Sequence, residues 1–132
     1  MLIDRLFNQD SSPALEQLLR FTETRQRVLA NDVANVDTPN FIQKDLSQAD
    51  FQAQLQQRVD QAAQSSPGSV NFNDISMDVQ DTGGLMFHDG NNRSMEQLMT
   101  EQAKNALLHN VAVELLRQQF MKLNAALKEQ PE

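Results

Sequence analysis

The stretch SMEQLMTEQAKNALLHNVAVELLRQQFMKLNAALKEQ, residues 94–130, decides the fold. It holds neither Gly nor Pro, the residues that most often interrupt a helix. Met95, Met99, Gln102, Ala106, His109, Val113, Leu116, Phe120, Leu123 and Leu127 follow one another at alternating steps of four and three residues. That is the heptad spacing of a helical packing seam, interrupted by the polar Gln102 and His109. At 1.5 Å per residue the stretch predicts a helix roughly 50 Å long. Ser94 with Gln97 makes a capping box at its start, and Glu96 complements the positive helix end. Leu107, Leu108, Val111 and Leu115 lie off the seam and add a second apolar strip, so between residues 106 and 116 nearly every direction around the helix is apolar. A helix of that kind is buried on most sides. Burying each Leu or Val stabilises by about 1.5–3 kcal/mol. The expectation is therefore that the chain shields one side of this helix and that further chains shield the rest. The competing expectation is a folded-back bundle of three helices.

The remainder of the chain is too modest to cover that helix alone. The whole chain of 132 residues is enough for one domain, and Phe supplies the only aromatic bulk, since Trp and Tyr are absent; Cys is absent too. The net charge of −7 and the scattered Lys and Arg argue against nucleic acid and against an anionic membrane surface. No segment approaches the ~18 apolar residues of a membrane span. Residues 1–13 carry a single Arg and a broken apolar stretch, which is not the pattern of a cleavable secretory signal. Without Cys, a metal site would rest on His88 and His109, which fall in different elements and read as a solvated loop residue and a seam residue that tunes register. "DVQDTGG" and "HDGNN" lack the ligand pattern of a calcium loop, no Gly-rich phosphate loop follows a strand, and no serine has a nameable base. These residues predict no enzyme activity, no catalytic or metal-binding residues, no cofactor and no small-molecule substrate.

Three segments emerge: residues 1–46, a helix and turn; 47–93, a variable middle with a short helix and loop; and 94–132, the long closing helix. The first helix starts at Asp10-Ser11-Ser12-Pro13, with Ser12 able to cap and Pro13 suited to the first helical position. Leu15, Leu18, Leu19, Leu29 and Val33 make its apolar stripe, with Thr22 within it, Arg25 and Asp32 at one edge and Gln26 at the other. Pro39 disfavours helix at Thr38, so this helix should end by about Val36. A weaker helix follows over 47–64, with Ser47 and Asp50 as its capping box and Phe51, Leu55, Val59 and Ala62 along one side. Ser65-Ser66-Pro67-Gly68-Ser69 reads as a linker. Residues 70–93 are polar and turn-rich, with a short strand possible where Ile75, Met77 and Val79 alternate; loose or partner-dependent order is expected there. The fold class is all-α: two long terminal helices packed as a coiled-coil-like bundle around a variable, partly disordered middle.

Asn31-Asp32-Val33-Ala34-Asn35-Val36-Asp37-Thr38-Pro39 resembles the N-terminal signature of bacterial flagellar axial proteins, the rod and hook subunits. These share a helix ending in Asn-x-x-Ala-Asn-x-x-Thr-Pro, then Gly and an aromatic. Here Asn40 and Phe41 occupy the last two places, and Asn is the next most tolerant residue of left-handed geometry. "DLSQADF", residues 45–51, is similar to the acidic-aromatic box that follows in the family. Asp89-Gly90-Asn91-Asn92 resembles the segment before the final helix of the shortest, proximal rod subunits, with Arg93-Ser94-Met95-Glu96 where those continue Val-Asp and an acidic-Met helix start. Together the similarities cover about residues 10–52 and 86–129.

The resemblance implies a structural subunit of the basal-body rod, linking the membrane ring to the distal rod and hook. It implies export by the flagellar type III apparatus without a cleavable signal peptide, and assembly in the periplasm. The implied partners are further copies of the chain, the rod proteins FlgC and FlgF, the adapter FliE and the membrane-ring protein. The expected assembly residues are Asn31, Ala34, Asn35, Thr38, Pro39 and Phe41 at the first motif, and Leu107, Leu108, Val111, Leu115, Leu116 and Phe120 on the closing helix. The amides of Asn31 and Asn35 suit backbone groups of a neighbouring chain or of their own helix end. The rival reading is a small helical export chaperone or adaptor that holds a client helix on the same apolar strip.

Overall fold

The computed structural model describes residues 12–66, 68–82 and 95–128. Helix α1 runs Ser12–Ala34, strand β1 Lys44–Leu46, helix α2 Gln48–Ala63, strand β2 Val79–Asp81, and helix α3 Met95–Lys128. The all-α expectation holds, with one small addition: β1 and β2 pair antiparallel, Lys44 opposite Asp81 and Leu46 opposite Val79. Of the alternating Ile75, Met77 and Val79, only Val79 lies in the strand; Ile75 is buried in the core and Met77 packs against it. Ser94 of the expected capping box, Gly83-Gly84, His88, "HDGNN" and residues 1–11 lie outside the described residues.

Helix α1 stops where the sequence predicts. Beyond Ala34 the chain makes successive turns, with Thr38 N–H donating to Asn35 O (3.0 Å) and Phe41 N–H to Thr38 O (3.3 Å). Asn40 has φ +62°, the left-handed conformation that its place in the motif requires. Helix α2 begins on its expected cap, where the Ser47 hydroxyl accepts from Asp50 N–H at 3.2 Å.

Two aromatic rings join the helices. Phe21 of α1 and Phe51 of α2 stack with centroids 4.2 Å apart and planes 12° from parallel. Around them Ala14, Leu15, Leu18, Leu46, Leu55, Val59 and Ile75 form the core, to which α3 adds Ala112 and Leu115. The described part of the middle region is more firmly tied than its composition suggests. Gln17 donates to Asn73 (3.0 Å), Arg58 makes a two-pronged ion pair with Asp74 (3.1 and 3.0 Å), and Ser76 N–H donates to Gln54 (3.1 Å). The loose order expected over 70–93 therefore gives way, through residue 82, to a chain pinned on α1 and α2.

Helices α1 and α3 run antiparallel. Ser12 bonds to Gln119, Thr22 to His109, and Arg25 to Glu101, so residue numbers rise along one helix as they fall along the other. Because Ser12 meets Gln119, the last turns of α3 extend beyond the described start of α1.

Truncating Phe51 to Ala removes half of the ring stack from a fully buried site. The expected loss is about 3–5 kcal/mol, measurable by urea unfolding followed at 222 nm.

Candidate assembly surface

The signature turn is built first from its own backbone. Asn35 Nδ2 donates to Asn31 O (2.9 Å) and Asn31 Oδ1 (3.2 Å), and the Thr38 hydroxyl donates to Asn35 Oδ1 (3.3 Å). Of the two uses expected for these amides, the structure contains the one on their own helix end. Asn31, Ala34, Thr38 and Pro39 are exposed, and Asn35 and Phe41 half-buried, so the turn presents a formed, polar corner to solvent. Asp32, between the two asparagines, is buried, and its Oδ1 accepts from Lys44 N–H at 3.0 Å. It ties the end of α1 to β1, a role that its place at the edge of the apolar stripe did not reveal.

Arg25 sits where three elements meet. Its Nε and Nη2 donate to Asp45 Oδ1 and Oδ2 of β1 (2.9 and 3.0 Å), and Nη2 also donates to Glu101 Oε2 of α3 (2.8 Å). The side chain is 5% exposed. The hydrogen bond to Asp45 raises the Arg25 pKa against the opposing effect of burial, and Glu101 adds to the rise. For Glu101, burial pushes the carboxyl up, but the Arg25 hydrogen bond and charge, helped by Lys104, outweigh it and hold the group below its ordinary value. The acidic-aromatic box of residues 45–51 thereby gains a physical account: Asp45 receives Arg25, and Phe51 stacks on Phe21.

The apolar surface of α3 divides differently from the expectation. Leu98, Asn105, Ala112 and Leu115 are buried against the chain itself, and Leu108 and Leu116 are half-buried on the core. Leu115, expected on the strip left for other chains, is a core residue, and Leu108 is partly claimed by the same packing. What remains in water is part of the heptad seam, namely Met95, Met99, Val113 (43% exposed), Phe120 (52%), Leu123 and Leu127, while its Gln102, His109 and Leu116 are half-buried. Leu107 (66%) and Val111 are exposed as well, one turn apart. Periodicity identified both apolar strips; it could not say which one α1 would cover, because that depends on which side chains of α1 face it. An exposed apolar run of this length on a helix marks a surface for association. No described helix is long and apolar enough to cross a membrane.

Because the folded pKa of Glu101 is lowered, its stabilising contribution is complete above the ordinary glutamate range and is lost as pH falls through the lowered value. Thermal melts between about pH 7 and pH 3 should show the midpoint falling, and Glu101→Gln should flatten that dependence while lowering the midpoint at neutral pH. Arg25→Ala removes the two-pronged ion pair from the buried Asp45 and should cost about 3–5 kcal/mol in urea unfolding.

No protein-family model matches the sequence. Two known proteins align along most of it. The flagellar basal body rod protein FlgB of Bacillus subtilis (strain 168) is 29% identical over 116 residues, covering 86% of this chain and 89% of the relative. FlgB of Borrelia hermsii is 26% identical over 118 residues, covering 79% and 85% respectively. The signature turn, the box after it and the long closing helix all sit in a chain that is FlgB-like: it resembles the flagellar basal body rod protein FlgB across most of its length.

Proposed function

We propose that this chain is a structural, non-catalytic subunit of the bacterial flagellar basal body, placed in the proximal rod between the membrane ring and the distal rod and hook. The observation that carries the reading is the set of apolar seam residues of α3, from Met99 through Val113 and Phe120 to Leu127, that the folded chain leaves in water beside an already formed α1–α3 pair. In a rod, that seam is covered by helices of neighbouring subunits. Its side chains supply the hydrophobic drive, and the Asn31–Asn35–Thr38 corner, already bonded internally, sets the direction in which the chain leaves α1. The neighbours in this reading are further copies of the chain, FlgC, FlgF and the FliE adapter at the membrane ring. Delivery is through the flagellar type III apparatus to the periplasm, without a cleavable signal. The similarity to FlgB over most of both chains supports the reading.

The seam defines the variant that tests it. Val113→Glu with Phe120→Glu places two charges on exposed positions, so helicity and the unfolding midpoint should stay near those of the parent protein. In a cell carrying only that variant, motility should be lost and the chain should be absent from isolated basal bodies; normal swimming would refute the reading. Deleting residues 1–10 separates the rival role, since export of a rod subunit should stop while a client-holding chaperone would keep its cytoplasmic function.

A further inference from the structure

The intrachain pair of α1 and α3 covers one face of α3 and leaves Met99, Val113 and Phe120 beside it in water. The covered face is aliphatic through Leu98, Leu108, Ala112, Leu115 and Leu116, and Glu101, Asn105 and Gln119 interrupt it. Apolar burial alone does not distinguish sharply between the two faces. The selecting interactions are polar. Arg25 Nη2 donates to Glu101 Oε2 at 2.8 Å, Asn105 Nδ2 donates to Thr22 O at 2.8 Å and Gln26 Oε1 at 3.4 Å, and the Ser12 hydroxyl donates to Gln119 Oε1 at 2.6 Å. Thr22 Oγ1 meets His109 Nδ1 at 2.9 Å. The single Thr22 hydroxyl proton goes to Leu19 O (2.9 Å), so in the second contact its oxygen accepts and His109 Nδ1–H donates.

On the α3 side of these rungs Asn105 is the deepest, at 2% exposure. Its Oδ1 is buried with no hydrogen-bond partner among the described residues. An amide in that position carries a desolvation penalty that leucine would not. Stability is therefore a poor reason for its presence. Specificity is a better one: a polar residue on a packing seam selects register and partner at the expense of stability.

We propose that Asn105, supported by Glu101, His109 and Gln119, is a positioning residue that chooses which face of α3 the chain uses on itself, and so keeps the apolar seam free. Slipping α3 by one heptad sets Leu98 or Ala112 opposite Thr22, and neither can donate to its carbonyl. Turning α3 toward the apolar seam withdraws Asn105 from Thr22 and Glu101 from Arg25. Each alternative keeps apolar contact available and loses the polar rungs. The value of a free seam rests on the rod-subunit reading; the selection of the face does not.

The absence of Cys lets single cysteines report the choice in the full-length isolated chain. Val113→Cys, on the free seam, should react with a maleimide at least about tenfold faster than Leu115→Cys, on the buried one. Adding Asn105→Leu should raise the thermal midpoint yet bring the two rates within about threefold, as slipped and turned pairings become populated. His109→Leu should narrow the ratio in the same direction with helicity intact. An unchanged ratio, a lowered midpoint or loss of helical signal in Asn105→Leu would each overturn the proposal, making Asn105 an ordinary structural contact. Failure of Asn105→Leu to enter basal bodies while its labelling matches the parent would count against the face-selection argument alone.

Discussion

Arg25 is the point through which the architecture is connected. One guanidinium holds a carboxylate from β1 and another from α3 while lying on α1, so the helix pair, the strand and the start of α2 share a single junction. A buried charge survives there because its donors are matched by acceptors in fixed places, and removing a carboxylate would leave part of the desolvation cost uncompensated. Arginine suits the role because its planar fork can serve Asp45 with two bonds and still reach Glu101, which a lysine could not do.

The two halves of the molecule are held by different forces. The N-terminal half packs through rings and aliphatic side chains: Phe21 on Phe51, with Leu15, Leu18, Leu55, Val59 and Ile75 around them. Helix α3 adds Leu98, Ala112 and Leu115, with Leu108 and Leu116 half-buried beside them, and meets α1 as well through hydrogen bonds and an ion pair. Apolar packing is tolerant of sliding, whereas hydrogen bonds are not, so the half with the thinner apolar contact is also the half whose placement is most sharply defined.

Much of this was legible in the residues, for identifiable reasons. Ser47 and Asp50 are local, and a capping box needs no tertiary knowledge. Asn40 stands before an aromatic and after Thr38-Pro39, a position whose geometry is written in its neighbours. The length of α3 follows from an uninterrupted heptad pattern. What remained hidden depends on partners far apart in the chain. Arg25 and Asp45 are 20 positions apart, and nothing in the local pattern links them; Arg25 at the edge of a stripe looks like a solvated charge. Leu115 and Val113 are equally apolar and two residues apart, and only the side chains of the facing helix, Ala14, Leu15 and Leu18 among them, show that the first is covered and the second is not. Residues 70–82 are polar in composition, but their side chains find Gln17, Gln54 and Arg58, and composition does not record partners.

The division between polar rungs and a free apolar seam also gives the two faces of α3 opposite thermal character. Contacts between hydrocarbon side chains derive their strength near room temperature from released water and weaken on cooling, with a negative heat-capacity change as their mark. Hydrogen bonds and the Arg25 junction carry a smaller heat-capacity change of the opposite sign. Chilling should therefore loosen whatever covers Met99, Val113 and Phe120 well before it disturbs the helix pair, leaving folded single chains as the product of cold dissociation.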